Sequence, residues 1–164
     1  MRHFPGRIGW AHVQLPLVDG AVESIPAAVQ LVAGTTGYHT LALAVPAAPL
    51  EGHVEITREG VIAKIAKLFG AQDIQLGEEA FDRTFLVKGT SERTVRAVLS
   101  ALVRQEMLQM DAVRVAYDDG SAHKHGPMAL LEVPRIVTGA AELDRVLAAV
   151  VEMARAKVQE TAYR

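Results

Sequence analysis

The sequence contains no cysteine. That excludes disulfides, thiolate metal sites and cysteine nucleophiles together, while leaving the compartment open. Aromatic residues are scarce, at 5%, so a core must be assembled mostly from Val, Leu, Ile and Ala. Neither sign of charge is in excess. Seventeen Lys and Arg stand against nineteen Asp and Glu, for a net charge of −2. Such a chain has no basic field to hold a phosphate backbone, so nucleic acid is not an expected partner. An uninterrupted apolar span is also missing. Residues Ser24 to Leu50 carry no Asp, Glu, Lys or Arg, but Pro26, Gly34, Gly37, Pro46 and Pro49 break the run, and it alternates with period two as strands do. The N-terminus, Met1 to Arg7, has basic residues with no apolar stretch behind them, unlike a secretory leader. A soluble, cytoplasmic protein is expected. The nucleophile elbow, the His-Glu-x-x-His zinc motif, the dinucleotide glycine fingerprint and the phosphate-loop lysine are all missing.

What is present is an ordinary globular composition, 50% apolar and 22% charged over 164 residues. That is one domain's length and enough to bury a core. Trp10 to Leu17 alternates and is expected to be a strand, with Pro16 marking an edge. Val18 to Pro26 reads as a connection turning at Asp19-Gly20. Ala27 to Ala33 and Tyr38 to Val45 form the clearest strand pair, joined by Gly34-Thr35-Thr36-Gly37. His53 to Arg58 is a further strand with Val54 and Ile56 inward. Val61 to Phe69 reads as a short helix stopped at Gly70.

The second half alternates strand with helix. Thr84 to Lys88 is a strand. Ser91 or Thr90 caps a long helix with an apolar stripe of Val95, Val98, Leu99, Leu102, Val103 and Met107. Ala112 to Tyr117 and Met128 to Val133 are strands flanking a loop. Thr138 is expected to cap the last helix, where Leu143, Val146, Leu147, Val150, Val151, Ala154 and Val158 recur at helical spacing. The fold class is therefore α+β: a mainly antiparallel sheet with two long helices from the C-terminal half packed on one face. A single domain over 1–164 is expected, with a β-rich half at about 8–58, a short helix and turn at about 60–80, and a strand-helix-strand-strand-helix half at about 80–158.

Four places offer candidate chemistry. His123 and His125 lie two apart, so an extended backbone points both imidazoles the same way. Asp118 or Asp119 would add oxygen ligands; the competing reading is a solvated loop. Asp73, Glu78, Glu79 and Asp82 cluster around Gly77, but their spacing fits turn and cap chemistry better than a calcium loop. Arg58, Lys64 and Lys67 flank an apolar helix of the kind that lies on an anionic membrane. The hairpin from Ala27 to Val45 has two uncharged faces, each covered either by the chain's own helices or by a second copy.

The motif Gln72-Asp73-Ile74 with Gly77, then Phe81-Asp82-Arg83-Thr84-Phe85-Leu86-Val87-Lys88-Gly89, resembles a group of uncharacterised bacterial proteins. Thr57-Arg58-Glu59-Gly60 and Lys67-Leu68-Phe69-Gly70 fit the same pattern, which spans roughly residues 54 to 155. The group's next helix has the form Leu-Leu-Thr-Pro-x-Leu-Arg; here it is Val98 to Arg104, with Ala101 in place of Pro. Members often look membrane-associated or carry an additional hydrophobic segment, which this sequence does not show. No activity attaches to the group, so the resemblance supports a fold and implies no catalytic residue. Neither catalytic, cofactor nor metal residues are assigned. The leading expectation is a non-catalytic interaction or structural module, self-associating through the Ala27–Val45 hairpin or binding another protein. A peripheral membrane or lipid-binding domain is the alternative, and a metal protein or enzyme built on His123 and His125 the second.

Overall fold

The structure, a computed structural model, describes residues 17–34, 37–59, 72–121 and 126–157. Its strands are β1 (Leu17–Val22), β2 (Ile25–Gly34), β3 (Gly37–Ala44), β4 (His53–Arg58), β5 (Gln72–Asp73), β6 (Phe85–Gly89), β7 (Arg114–Asp118) and β8 (Met128–Val133). Its helices are α1 (Glu79–Thr84), α2 (Glu92–Val98), α3 (Ala101–Gln109) and α4 (Ala140–Ala154). The strands form one sheet in the order β1-β2-β3-β8-β7-β4-β6-β5, and every pairing is antiparallel. The α+β class and the mainly antiparallel sheet are as the sequence predicts.

β4 ties the expected halves together. It lies between β6 and β7, pairing Ile56 with both Val87 and Val115. The path from β6 through α2 and α3 to β7 therefore crosses over a strand supplied by the first half of the chain. That order rests on long-range pairing, to which local periodicity is blind.

All four helices contribute to one core on one face. Phe81 from α1, Val95 and Val98 from α2, Val103 and Met107 from α3, and Val146, Val150 and Met153 from α4 meet Ala42, Val54, Ile56, Val87, Val115 and Leu131 from the sheet. The small residues of β3, Ala42 and Ala44, let α4 come close. Each fully buried Val, Leu or Phe stabilises by about 1.5–3 kcal/mol relative to exposure.

Several local expectations are corrected. Val18 to Pro26 is not a connection: β1 occupies Leu17–Val22, and the turn lies at Glu23-Ser24, both at positive φ. A two-residue turn with both residues left-handed matches the strand twist. Glu23 is further held by Arg155, 2.5 Å away beyond the end of α4. The long helix after Ser91 is two helices. Ser91 caps α2 by accepting from Thr94 N–H; the chain then leaves helical geometry at Leu99, and Ser100 caps α3 through Val103 N–H. The break rotates the stripe, so Leu102 is 48% exposed instead of buried. The N-cap of α4 is Gly139 rather than Thr138, with no side-chain cap bond. The expected strand Trp10 to Leu17, apart from Leu17, and the expected helix Val61 to Phe69 lie outside the described residues, as do Lys64, Lys67, His123 and His125.

Candidate functional site

Of the carboxylates singled out around Gly77, Asp82 is used by the backbone, and Glu78 and Glu79 by arginines. Asp82 accepts from Leu76 N–H at 2.9 Å and Gly77 N–H at 2.8 Å, which closes the turn before α1. Glu78 pairs with Arg104 at 2.5 Å, and this hydrogen bond holds its carboxyl below the usual carboxylate range. Glu79 pairs with Arg83 one helical turn on. Asp73 lies in β5, paired opposite Lys88. Phe81 and Phe85 stack beside this turn, their ring centroids 4.8 Å apart, and both are buried.

The other acidic pair sits where β7 runs out. Asp119 accepts from Gly52 N–H at 2.6 Å and from Ser121 N–H at 2.7 Å. Bonds from Ser121 and then Gly52 hold its carboxyl below the usual range. Asp118 accepts from Gly120 N–H at 2.7 Å. Nearby, the Tyr117 hydroxyl accepts from Leu50 N–H at 2.7 Å, and burial pushes its ionisation upward. Thr90 Oγ1 accepts from His53 N–H and lies 2.9 Å from His53 Nδ1. These bonds fasten the 45–52 connection over the ends of β4, β6 and β7. Arg58, of the expected membrane-facing set, is paired with Asp111 at 3.0 Å. Among the described residues, no three His, Asp or Glu side chains are grouped to hold one metal ion.

The sheet face turned away from the helices carries an arrangement that the sequence reading missed. Leu41, Leu43 and Leu130 form a second buried cluster there, flanked by Val32, Ala116 and Met128. Beside it runs a row of alternating charge. His39 Nδ1 lies 2.6 Å from Glu132; Glu132 is opposite Arg114; Arg114 is 3.3 Å from Glu55; and Glu55 is opposite Lys88. His39 is buried, and its Nε2 has no hydrogen-bond partner among the described residues. Its ring sits so close to Gly34 that a Cβ there would come within 2.3 Å of it. The signal available in the sequence was Glu132, a charge inside the apolar run Met128 to Val133. Such a residue in a central strand needs a partner.

The hairpin expected to be a partner surface is β2–β3. Residues His39 to Ala44 are all buried within the chain, α4 covering one side of β3. On β2, Pro26 and residues 29–32 are half-buried; the tip is exposed at Ala33, Gly37 and Tyr38; and β1 flanks β2 at the edge of the described sheet. Five residues of β1 are exposed and Val22 is half-buried, with Val18 at 72% and Leu17 at 47%.

The fold and this arrangement define the class: an antiparallel α+β sheet protein with helices on one face and an exposed edge strand. No protein-family model and no curated protein matches the chain. Among solved structures it is similar to the crystal structure of the mycobacterial trehalose monomycolate transport factor A, TtfA. The identity is 13% and the TM-score 0.56, over 84% of this chain and 68% of that one. At that identity the likeness is one of fold.

Proposed function

We propose that the protein is a non-catalytic interaction module that associates with further copies of itself along the β1 side of its sheet. The observation supporting this is β1, which among the described residues lies at the sheet's edge, with five of its six residues exposed, Leu17 and Val18 among them. Exposed strand edges of this kind template pairing with another chain, and proteins that avoid it use short strands, Lys, Pro or bulges. β1 has only Asp19 as a charge. Asp82, Asp118 and Asp119 support the reading from the other side, because the bonds they make secure the backbone. Light scattering across a concentration series tests it. A mass that rises with concentration is expected, and a monomer mass at every concentration contradicts it.

A lipid-binding role is the second reading. The observation favouring it is the likeness in fold to a protein described as a transport factor for trehalose monomycolate. Arg58 contributes little to it, being paired with Asp111. Flotation with anionic vesicles at low salt tests this reading, and protein left at the bottom of the gradient removes it.

A further inference from the structure

We infer that the Glu23-Ser24 turn is a salt-sensitive latch. The ion pair of Glu23 with Arg155 holds a strained turn closed, and losing that pair lets β1 open from β2, starting at the turn, while the rest of the sheet stays folded. This goes beyond self-association and is a property of a single copy.

The turn is costly as it stands. Glu23 has φ 46° and Ser24 φ 70°. A left-handed backbone brings Cβ against the following carbonyl oxygen, and a two-residue turn of this kind demands it twice, which is why Asn-Gly and Asp-Gly are the favoured pairs. Residues in such a conformation persist where the surrounding structure holds them. Beyond the pairing with β2, the described ties of this corner are Val22, half-buried against the core, and Arg155. Arg155 Nη2 donates to Glu23 Oε2 at 2.5 Å and reaches the Glu23 carbonyl oxygen at 3.5 Å. One guanidinium thus grips both the side chain and the backbone of the first turn residue. Its own backbone is fixed, since Arg155 N–H donates to Val151 and Glu152 carbonyls at the end of α4.

The backbone phase fixes which bonds break first. Val45 N–H donates to Pro26 O at 2.9 Å, so the polar backbone of Pro26 faces β3. Its partner in β1 is Ala21. Since a residue's N–H and C=O leave an antiparallel strand on the same side, Ala21 exchanges no bonds with β2. By alternation Asp19 exchanges none either, while Val18, Gly20 and Val22 bond to β2. The turn gives the same phase, because it closes on a hydrogen-bonded pair, here Val22 with Ile25. Opening from the turn therefore frees Val22 and Ile25 first and Gly20 next. The pair that opposes this is open to salt: the Glu23 side chain is 72% exposed and that of Arg155 36%. The screening length shrinks from about 10 Å at 0.1 M salt to about 3 Å at 1 M. Exposed pairs of this kind shift an equilibrium by about two- to fivefold, which suits a latch on a local opening and leaves global folding unaffected.

Hydrogen exchange of dilute, monomeric protein tests the latch. In Arg155→Gln the protection of the Val22 and Ile25 amides is expected to fall about two- to fivefold, that of Gly20 less, and that of the β3–β8 pairing not at all. Salt at about 1 M is expected to cause the same fall in the wild type and no further fall in Arg155→Gln. Adding Ser24→Gly, which relieves the strain at one turn position, is expected to restore protection in Arg155→Gln. Unchanged protection at Val22 and Ile25 in Arg155→Gln overturns the latch. So does an equal fall across the β3–β8 pairing, which would mean general destabilisation, or a salt effect of the same size in both proteins. A local fall that Ser24→Gly does not repair overturns the strained turn as what the ion pair holds.

Discussion

Among the described residues, the two edges of the sheet are built in opposite ways. At one, β5 is two residues long, and the chain turns at once into α1. Asp82 fixes that turn, and Phe81 and Phe85 seat it in the core. At the other, β1 is six residues long, bears exposed apolar side chains and is joined to the body by β2 and by one ion pair at its turn. The first edge is closed by local packing. The second is left long and weakly charged, a liability in a solitary protein and a means of association in one that pairs. Four changes probe the contrast, and their expected effects run from the sealed edge to the open one.

The largest effect is expected at the sealed edge. Phe81 is fully buried, and Phe81→Ala should cost about 3–5 kcal/mol in denaturant unfolding through the cavity it leaves. A loss below about 1 kcal/mol would mean that this junction does not anchor the core. Asp82→Ala leaves the N–H groups of Leu76 and Gly77 without their acceptor and should cost about 1–3 kcal/mol. Gly34→Ala, at the tip of the hairpin beside β1, drives a methyl group into the His39 ring, which Glu132 holds in place. Overpacking of this kind typically costs about 1–3 kcal/mol, and His39→Ala should relieve it in a double-mutant cycle. The smallest effect on folding is expected at Val18. Val18→Lys should change monomer stability by no more than about 0.5 kcal/mol while removing association. Equal losses at both edges would erase the distinction.

Acid provides a separate probe. Asp119 has its carboxyl held low in the folded state by Ser121 and Gly52. A depressed folded-state value means that its contribution is complete at neutral pH and above the unfolded value of about 3.9. It is lost as pH falls through the lower folded value. Stability should therefore decline below about pH 4 less steeply in Asp119→Asn than in the wild type. Parallel acid profiles for the two proteins would show that Asp119 does not pin the 45–52 connection.

Much of this architecture is legible locally. The β2–β3 hairpin shows in the period-two pattern between paired glycines, α4 in its apolar repeat, and the start of α2 in Ser91. The hidden parts have physical reasons. Asp19-Gly20 carries the dipeptide of a turn, yet it lies inside β1. The real turn uses Glu23 and Ser24, residues not favoured at positive φ, and a distant Arg155 holds the first of them. The apolar spacing runs on through Val98 to Val103, so the break at Leu99 and Ser100 is invisible to periodicity. The place of β4 between β6 and β7, and the pairing of His39 with Glu132, depend on residues that meet only in the folded sheet. The edge is hidden because Asp19-Gly20, a turn-like dipeptide, lies inside β1.

Residue-resolved hydrogen exchange of β1 as a function of protein concentration tests the central claim most directly. The outward amides of Asp19 and Ala21 should exchange fast in dilute protein and gain protection as concentration rises, while those of Val18, Gly20 and Val22, already bonded to β2, stay unchanged. Exchange at Asp19 and Ala21 that is independent of concentration, or protection that grows instead along β5, would contradict association through β1.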